Sequence, residues 1–380
     1  MGLKPGKGVL TGLFVSAATV VVLVIAAEAV TRVLVSEPPW RFQLLFWSQG
    51  AVKDASWGGH RYEPNATVKI RLFSITDLNA PRLAKVYDYQ LTTNAYGLIQ
   101  QREPIRNKPA ILLLGDSFTE GQGARPWFYE VESRWPAQAP YQLINGGLFA
   151  TGFEYWSRLY RYLSSTLTVS KVVIIFISDD WNRLVLQFDP EHRRCLDSSQ
   201  YCQPWMPFYG LPDEPTEAMR EVERLGRARA EFVRSGEQRR PIERVALYRV
   251  LFRPAYAKAR AYIKGESFED MVFAINKRSL LEIVAAVGSD NVILLHLPQK
   301  EQVDVGVDPL GLKAREVVRQ AGLRLVDGFE RCGLGPADFP ERDGHPNADG
   351  YRKIGMCVER VIADAWPSAA VDRGSAVTAH

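Results

Sequence analysis

The chain has 380 residues, of which 46% are hydrophobic and 24% charged, and its formal net charge at pH 7 is +4. These proportions are those of a globular protein with room for one large domain and appendages. Because the net charge is small and no basic motif interleaved with aromatic residues occurs, we expect no nucleic-acid partner.

The first predicted element is an uncharged apolar run over residues 9–27, which Lys4 and Lys7 precede. A run of about 19 such residues is long enough to cross a bilayer, and the lysines favour a cytoplasmic N-terminus. We therefore predict a single-pass transmembrane anchor over residues 1–36, in contact with membrane lipid. The main domain would lie on the periplasmic or extracellular side of the inner or plasma membrane. A cleaved signal peptide ending near Ala29 is the alternative, because the residues there resemble a cleavage site.

Residues 37–108 are rich in β-forming and turn residues and lack helical periodicity. Alternation over residues 86–92 predicts a strand, and residues 93–97 end it in a turn. We predict a β-containing lead-in that packs against the following domain and carries no chemistry of its own.

From Ala110 onward, apolar strands alternate with helical segments. The large aliphatic residues from Ile111 to Leu114 indicate a fully buried strand. Because strands separated by helices form a parallel sheet covered on both faces, we predict an α/β fold with a central parallel sheet. The two parts of this domain are residues 109–188 and 266–368, and its further strands are predicted at 141–147, 171–178, 291–297 and 324–327.

Residues 189–265 interrupt this alternation and are predicted to form a helical insert, a cap or arm on the domain. Its arginines alternate with glutamates from Thr216 to Ile263, which favours a solvent-exposed helical pair with internal salt bridges. Contact with anionic lipid, a polyanionic glycan or a membrane-protein partner is the alternative. Residues 369–380 are predicted to form a flexible tail.

Ser117 follows the buried strand at a strand-to-helix turn. A hydroxyl at the carboxyl end of a central parallel strand lies where open α/β sheets place their ligands, and a helix N-terminus favours an oxyanion. Ser117 is therefore a candidate nucleophile, and its neighbour Asp116 is either part of the site or a helix cap. A phosphate-binding loop does not fit, because neither Gly-Lys-Ser/Thr nor the GxGxxG spacing is present.

The residues Gly115-Asp116-Ser117-Phe118 resemble the first motif block of the GDSL/SGNH hydrolase superfamily, and residues 343–351 resemble its last block. The resemblance implies an SGNH-like three-layer fold and acyl-ester chemistry by a triad of Ser117, His345 and Asp343. Side chains two residues apart in an extended segment point the same way, so Asp343 can orient His345. This two-residue spacing is closer to the polysaccharide-modifying branch of the superfamily, and Glu341 is the alternative orienter.

The resemblance also implies an oxyanion hole that stabilises the negative charge of the intermediate. Its expected donors are the backbone N–H groups of Ser117 and Gly147 and the side chain at position 179. For Gly147, a purely structural turn is the alternative. Asp179 stands where the superfamily has asparagine, and an ionised carboxylate would repel the oxyanion, so Asn182 is a possible substitute donor.

The four cysteines predict two disulfides, Cys195 with Cys202 and Cys332 with Cys357, in an oxidising compartment. Unpaired buried thiols are the alternative. Because neither pair has CxxC spacing, we expect no metal site, and the proposed chemistry needs no cofactor.

With the predicted anchor, the resemblance implies a membrane-anchored external esterase or O-acyltransferase acting on an acyl, and by expectation acetyl, ester of a carbohydrate. Hydrolysis and transfer would use the same residues. The alternative is a catalytically inactive SGNH-fold assembly subunit of a membrane complex, which the Asp179 replacement and the long insert favour.

Overall fold

The computed structural model describes residues 7–34, 42–235, 268–305 and 310–369. Its strands are β1 (Gln43–Ser48), β2 (Val52–Asp54), β3 (His60–Tyr62), β4 (Thr67–Ile75), β5 (Leu83–Thr92), β6 (Ala110–Gly115), β7 (Gln142–Gly147), β8 (Val169–Phe176), β9 (Phe208–Leu211), β10 (Val292–His296) and β11 (Arg324–Asp327). Its α-helices are α1 (Lys7–Leu34), α2 (Ser117–Glu120), α3 (Phe128–Arg134), α4 (Phe153–Ser164), α5 (Pro190–Asp197), α6 (Pro215–Ser235), α7 (Phe268–Val287), α8 (Lys300–Val305), α9 (Leu312–Gln320), α10 (Gly328–Cys332) and α11 (Ala348–Ala365).

A parallel sheet with strand order β11-β10-β8-β6-β7 forms the centre of the domain. In β6, Ile111 and Leu113 belong to the hydrophobic cluster on one face of the sheet, and Leu112 and Leu114 belong to the cluster on the other. This follows from the two-residue repeat of a strand with both faces buried. Helices α4, α7 and α9 contribute to one cluster, and α3 and α11 to the other. The predicted α/β fold with a central parallel sheet is therefore confirmed.

Strand register brings three strand ends to the same rim of the sheet. Gly115, the last residue of β6, pairs with Gly147 of β7 and with Ile175 of β8. Loops that follow parallel strands leave from the same edge, so the segments after β6, β7 and β8 are neighbours. Residue 117 lies at this edge.

A second sheet, of order β5-β4-β1-β9, lies outside the central one. Strands β1, β4 and β5 come from the predicted lead-in, whereas β9 comes from the predicted insert and pairs parallel to β1. The lead-in and the first part of the insert thus share a sheet, which the sequence did not predict. Residues 236–265 of the insert and 370–380 of the tail lie outside the described residues.

The run predicted as a membrane anchor forms helix α1. Among the residues that the structure describes, no helix combines the length and the apolar character needed to cross a membrane. The predicted transmembrane anchor is therefore not supported.

Both predicted disulfides are present. Cys195 of α5 is joined to Cys202, and Cys332 of α10 is joined to Cys357 of α11. The second bridge ties α11, the helix that follows the His345 loop, to the segment after β11.

Candidate active site

Ser117 is held at the end of β6 by short-range contacts. Asp116 caps α2, because its Oδ1 accepts a hydrogen bond from the Phe118 N–H at 2.9 Å. Gly115 allows α2 to approach the sheet, since a Cβ there would lie 2.7 Å from the Thr119 Cβ of α2 and would also collide with the Ile175 carbonyl oxygen of β8. Ser117 is only 6% exposed.

The structure brings Ser117, His345 and Asp343 together. The Ser117 Oγ lies 2.9 Å from His345 Nε2. On the other side of the ring, His345 Nδ1 lies 3.0 Å from Asp343 Oδ1 and 3.2 Å from Oδ2. If Nδ1–H donates to the carboxylate, the Nε2 lone pair is left to accept the serine proton. Residues 228 positions apart in sequence therefore share one chain of hydrogen bonds.

Hydrogen bonds from two other parts of the fold hold the loop that carries His345. Gln43 of β1 donates through Nε2 to the Arg342 carbonyl oxygen at 2.5 Å. Lys300 Nζ donates to the carbonyl oxygens of Pro340 and Glu341, at 2.5 and 2.8 Å. Because these contacts come from both the second sheet and α8, the position of the loop depends on the lead-in and on the central domain together.

The alternative orienter, Glu341, does not contact the histidine in this arrangement. Its side chain is exposed, whereas Asp343 is 5% exposed and lies against the ring. Burial lowers the pKa of His345, but the Asp343 carboxylate and the charges of Asp116 and Glu120 outweigh it, so the pKa of His345 is raised overall. An imidazole with a raised pKa is the stronger base for a serine proton.

A cluster beside Ser117 was not recognised in the sequence. The Arg183 guanidinium donates to Asp116 Oδ2 at 2.8 Å and to Asp180 Oδ1 at 2.6 Å, and both carboxylates are fully buried. Asp180 Oδ2 also accepts from the Ile177 N–H at 2.9 Å. Burial and the nearby Asp116 raise the pKa of Asp180, which Arg183 counteracts. Arg183 thus compensates carboxylate charge next to the serine.

The structure assigns Gly147 a different role from the predicted one. Its N–H donates to Asn145 Oδ1 at 2.9 Å, so this donor is already engaged. A Cβ on Gly147 would lie 2.6 Å from the Glu120 backbone nitrogen. The glycine is therefore required for the close approach of β7 and α2, and the expectation of a Gly147 oxyanion donor is corrected.

Asp179 lies in the short 3₁₀ helix Ser178–Asn182 that follows β8, and its side chain is exposed. Its Oδ2 accepts from Gln299 Nε2 at 3.0 Å, which links the loops after β8 and β10. The Asn182 side chain is also exposed. The carboxylate at position 179 is thus paired with an amide at the rim, which differs from its predicted role in the oxyanion hole.

The turn after β7 contains a residue that sequence reasoning missed. Ala150 has a φ of 55°, in the left-handed region that non-glycine residues rarely adopt. The Leu148 N–H and the Thr151 hydroxyl both bond the Gly115 carbonyl oxygen, at 3.1 and 3.2 Å, so the turn lies against the end of β6. Strained backbone of this kind is concentrated at functional sites. No sequence signal marks an alanine for this conformation.

A second serine–histidine contact lies nearby but has different properties. Ser178 Oγ lies 2.9 Å from His296 Nε2. His296 is 2% exposed, and burial lowers its pKa to about 4. A buried imidazole of low basicity is a poor general base. Among the described residues, no cluster of His, Cys, Asp and Glu is placed to hold a metal ion.

No family model and no curated protein matches the chain. Solved structures similar to it include lipases, esterases and acylhydrolases, some of which are described as GDSL proteins. A lipase/acylhydrolase from Enterococcus faecalis is 16% identical, with 68% of this chain and 96% of that one covered, at a TM-score of 0.35. A putative lipolytic protein of the G-D-S-L family from Desulfitobacterium hafniense is 11% identical, with 66% and 98% covered, at 0.30.

A two-domain esterase active on acetylated mannans is 16% identical, with 70% of this chain and 52% of that chain covered, at a TM-score of 0.31. Likenesses this distant assign no activity to this chain.

Proposed function

We propose that this chain is a serine esterase of the GDSL/SGNH type, with Ser117 as nucleophile, His345 as general base and Asp343 as its orienter. One observation carries the proposal: the Ser117 Oγ lies 2.9 Å from His345 Nε2 while Asp343 contacts Nδ1 at 3.0 Å. This is the order and spacing of groups that nucleophilic acyl transfer requires.

In the proposed reaction, Ser117 Oγ attacks the acyl carbonyl carbon while its proton passes to His345 Nε2. Asp343 stabilises the imidazolium that forms. When the tetrahedral intermediate collapses, the bond to the alcohol oxygen breaks, and the alcohol leaves with the proton from His345. A water molecule or a sugar hydroxyl then attacks the acyl-enzyme by the same proton transfers and frees Ser117.

For the oxyanion we propose two backbone donors. The Ser117 N–H is the first N–H of helix α2, where no intrahelical acceptor exists. The Ala150 N–H is the second, and the left-handed φ of Ala150 beside the end of β6 supports it. Donors at such positions are worth about 3 kcal/mol of transition-state stabilisation each.

The proposed substrate is an acyl, and by expectation acetyl, ester of a carbohydrate. The two-residue spacing between Asp343 and His345, which resembles the polysaccharide-modifying branch, supports this choice. We further propose that the domain works outside the cytoplasm, because its two disulfides persist in oxidising compartments. Membrane anchoring is not included, since the described helices give it no support.

A catalytically inactive assembly subunit is the second candidate. Asp179 favours it, because the position that holds a donor amide in the superfamily carries a carboxylate bonded to Gln299 here. The two candidates differ in whether Ser117 reacts.

The test is labelling by a fluorophosphonate and hydrolysis of p-nitrophenyl acetate by the full chain. We expect labelling and turnover in the unmodified protein, neither in Ser117→Ala, and a loss of about 10³–10⁴-fold in kcat for Asp343→Asn. Ser178→Ala is the matched control, since its hydroxyl contacts His296 at the same 2.9 Å, and it should keep both signals. A folded protein without labelling or turnover would favour the assembly subunit.

A further inference from the structure

Glu120 is a buried carboxylate three residues after Ser117, on the same short helix α2. It is 1% exposed. Its Oε1 accepts from the Tyr62 hydroxyl at 2.8 Å, and its Oε2 accepts from the Phe149 N–H at 2.6 Å. Tyr62 in turn accepts from Trp47 Nε1 at 3.1 Å. A buried carboxylate with both oxygens satisfied holds its partners firmly, because losing either bond leaves a desolvated charge.

Of the two hydrogen-bond donors to Glu120, the Phe149 N–H is the one that lies next to Ala150 in the chain. Phe149 lies between Leu148, which bonds the end of β6, and Ala150, whose φ is 55°. Glu120 therefore fastens the turn that carries Ala150 to the helix that begins with Ser117. An anionic acceptor at 2.6 Å is of the short, strong kind that can sustain a strained neighbouring residue.

We propose that Glu120 is a positioning residue, whose ionised carboxylate holds the turn of residues 148–151 so that the Ala150 N–H lies at the oxyanion position beside Ser117. The proposal rests on the esterase function proposed above. Glu120 does not act on the substrate. It acts through Phe149, and its ionisation controls the strength of that contact.

Burial shifts the ionisation of Glu120 into the neutral pH range. Burial raises the pKa of Glu120 to about 7, against the hydrogen bonds from Tyr62 and Phe149 and the charge of His345, which lower it. The titratable groups that face it are Tyr62, Tyr87, Tyr89, Tyr155, Tyr351, Asp116 and His345. Burial raises the pKa of all five tyrosines, so the charge changes that concern the turn near neutral pH are those of Glu120 and His345.

The direction of the pH dependence follows from the hydrogen bonds that the Glu120 carboxyl group can accept in each protonation state. Above its pKa, Glu120 accepts from both the Tyr62 hydroxyl and the Phe149 N–H. Below it, the proton removes the charge and converts one oxygen to a donor, which weakens the hold on Phe149. The turn is therefore held best at neutral to alkaline pH, and the acid limb of activity contains Glu120 as well as His345.

The first experiment does not depend on activity. The full chain is labelled with ¹⁵N-phenylalanine, and the Phe149 amide proton shift, assigned by its loss in Phe149→Leu, is followed from pH 5 to 9. We expect a titration with a midpoint of about 7 that is absent in Glu120→Gln. In Tyr62→Phe the midpoint should move upward, because the Tyr62 hydrogen bond lowers the pKa of Glu120. An amide that does not titrate, or that titrates equally in Glu120→Gln, would overturn the proposal.

The second experiment measures p-nitrophenyl acetate hydrolysis against pH. Glu120→Gln should lower kcat about tenfold with little change in KM, since a displaced oxyanion donor loses part of its 10²–10³-fold effect. The acid limb of log kcat/KM should change from a slope near two to a slope near one.

Glu132→Gln is the matched control, because Glu132 is 4% exposed and accepts from the N–H groups of Gln101 and Arg102. Glu132→Gln should keep both the kcat of the unmodified protein and the slope of its acid limb in log kcat/KM. Equal rates and slopes in Glu120→Gln and the unmodified protein would refute the positioning role. If the unmodified protein neither turns over nor reacts with the fluorophosphonate, the esterase proposal fails instead, and the amide titration still decides whether Glu120 holds the turn.

Discussion

Replacement of Arg183 by methionine tests how the buried charge beside Ser117 is balanced. Methionine keeps much of the volume of the side chain but removes the guanidinium that contacts Asp116 and Asp180 at 2.8 and 2.6 Å. Both carboxylates are 0% exposed, so water cannot replace the lost donor on their side. The substitution therefore leaves two desolvated acceptors without their shared cation.

The expected loss of unfolding free energy at pH 7 is about 3 kcal/mol. Removing one partner of a buried ion pair costs about 3–5 kcal/mol, and the lower end applies because the Arg183 side chain is 29% exposed and its pairing is partly screened. An effect of this size should lower the urea midpoint by about 1–3 M, given a slope of about 1–3 kcal/mol/M.

The loss should depend on pH in a defined direction. Burial and Asp116 raise the pKa of Asp180 even with Arg183 present, and removal of the cation raises it further. A carboxyl whose folded-state pKa lies above the unfolded value of about 4 contributes stability below pH 4 and loses it as pH rises toward the folded pKa. The variant should therefore be closer to the unmodified protein at pH 4.5 than at pH 7.5.

Urea unfolding followed by tryptophan fluorescence at these two pH values measures both effects. Arg227→Met is the control, because the Arg227 side chain is 68% exposed and lies 3.8 Å from Glu223 on helix α6, where pairing has little net worth. Equal losses in the two variants, or a loss for Arg183→Met that grows toward acid pH, would refute the reasoning.

Two further predictions concern packing and cross-linking. Gly147→Ala should destabilise the fold by about 1–3 kcal/mol and reduce activity, because its Cβ would lie 2.6 Å from the Glu120 nitrogen. Gly311→Ala, whose Cβ meets nothing within 4 Å, is the control, and a harmless Gly147→Ala would contradict the role in close approach. Replacing Cys332 and Cys357 by alanine should lower the free energy of unfolding by about 3 kcal/mol, because this disulfide closes a loop with a sequence separation of 25. Replacing Cys195 and Cys202 should lower it by about 2 kcal/mol, because the separation there is 7, and thermal or urea unfolding measures both losses. The reverse order would contradict the loop-entropy argument.

The elements that could be predicted from sequence are those in which neighbouring residues decide the structure. Ile111 to Leu114 form a buried strand because four large aliphatic side chains in a row have no polar face to expose. Asp343 and His345 lie within one loop, and their contact needs only two residues of extended chain. The order of strands and helices likewise predicts the parallel sheet, so the meeting of Ser117 with the histidine loop at one rim was expected.

Contacts between distant segments could not be predicted in this way. Arg183, Asp180, Glu120 and Tyr62 are ordinary polar residues in the sequence, and their burial beside the serine depends on how β3, β6, β7 and β8 pack. Gly147 was predicted as a donor, but the approach of α2 to β7 uses its missing side chain and engages its N–H elsewhere. Ala150 has a left-handed backbone because tertiary contacts outweigh its local preference. Periodicity records local preference, whereas desolvation and charge pairing exist only once remote parts of the chain are packed together.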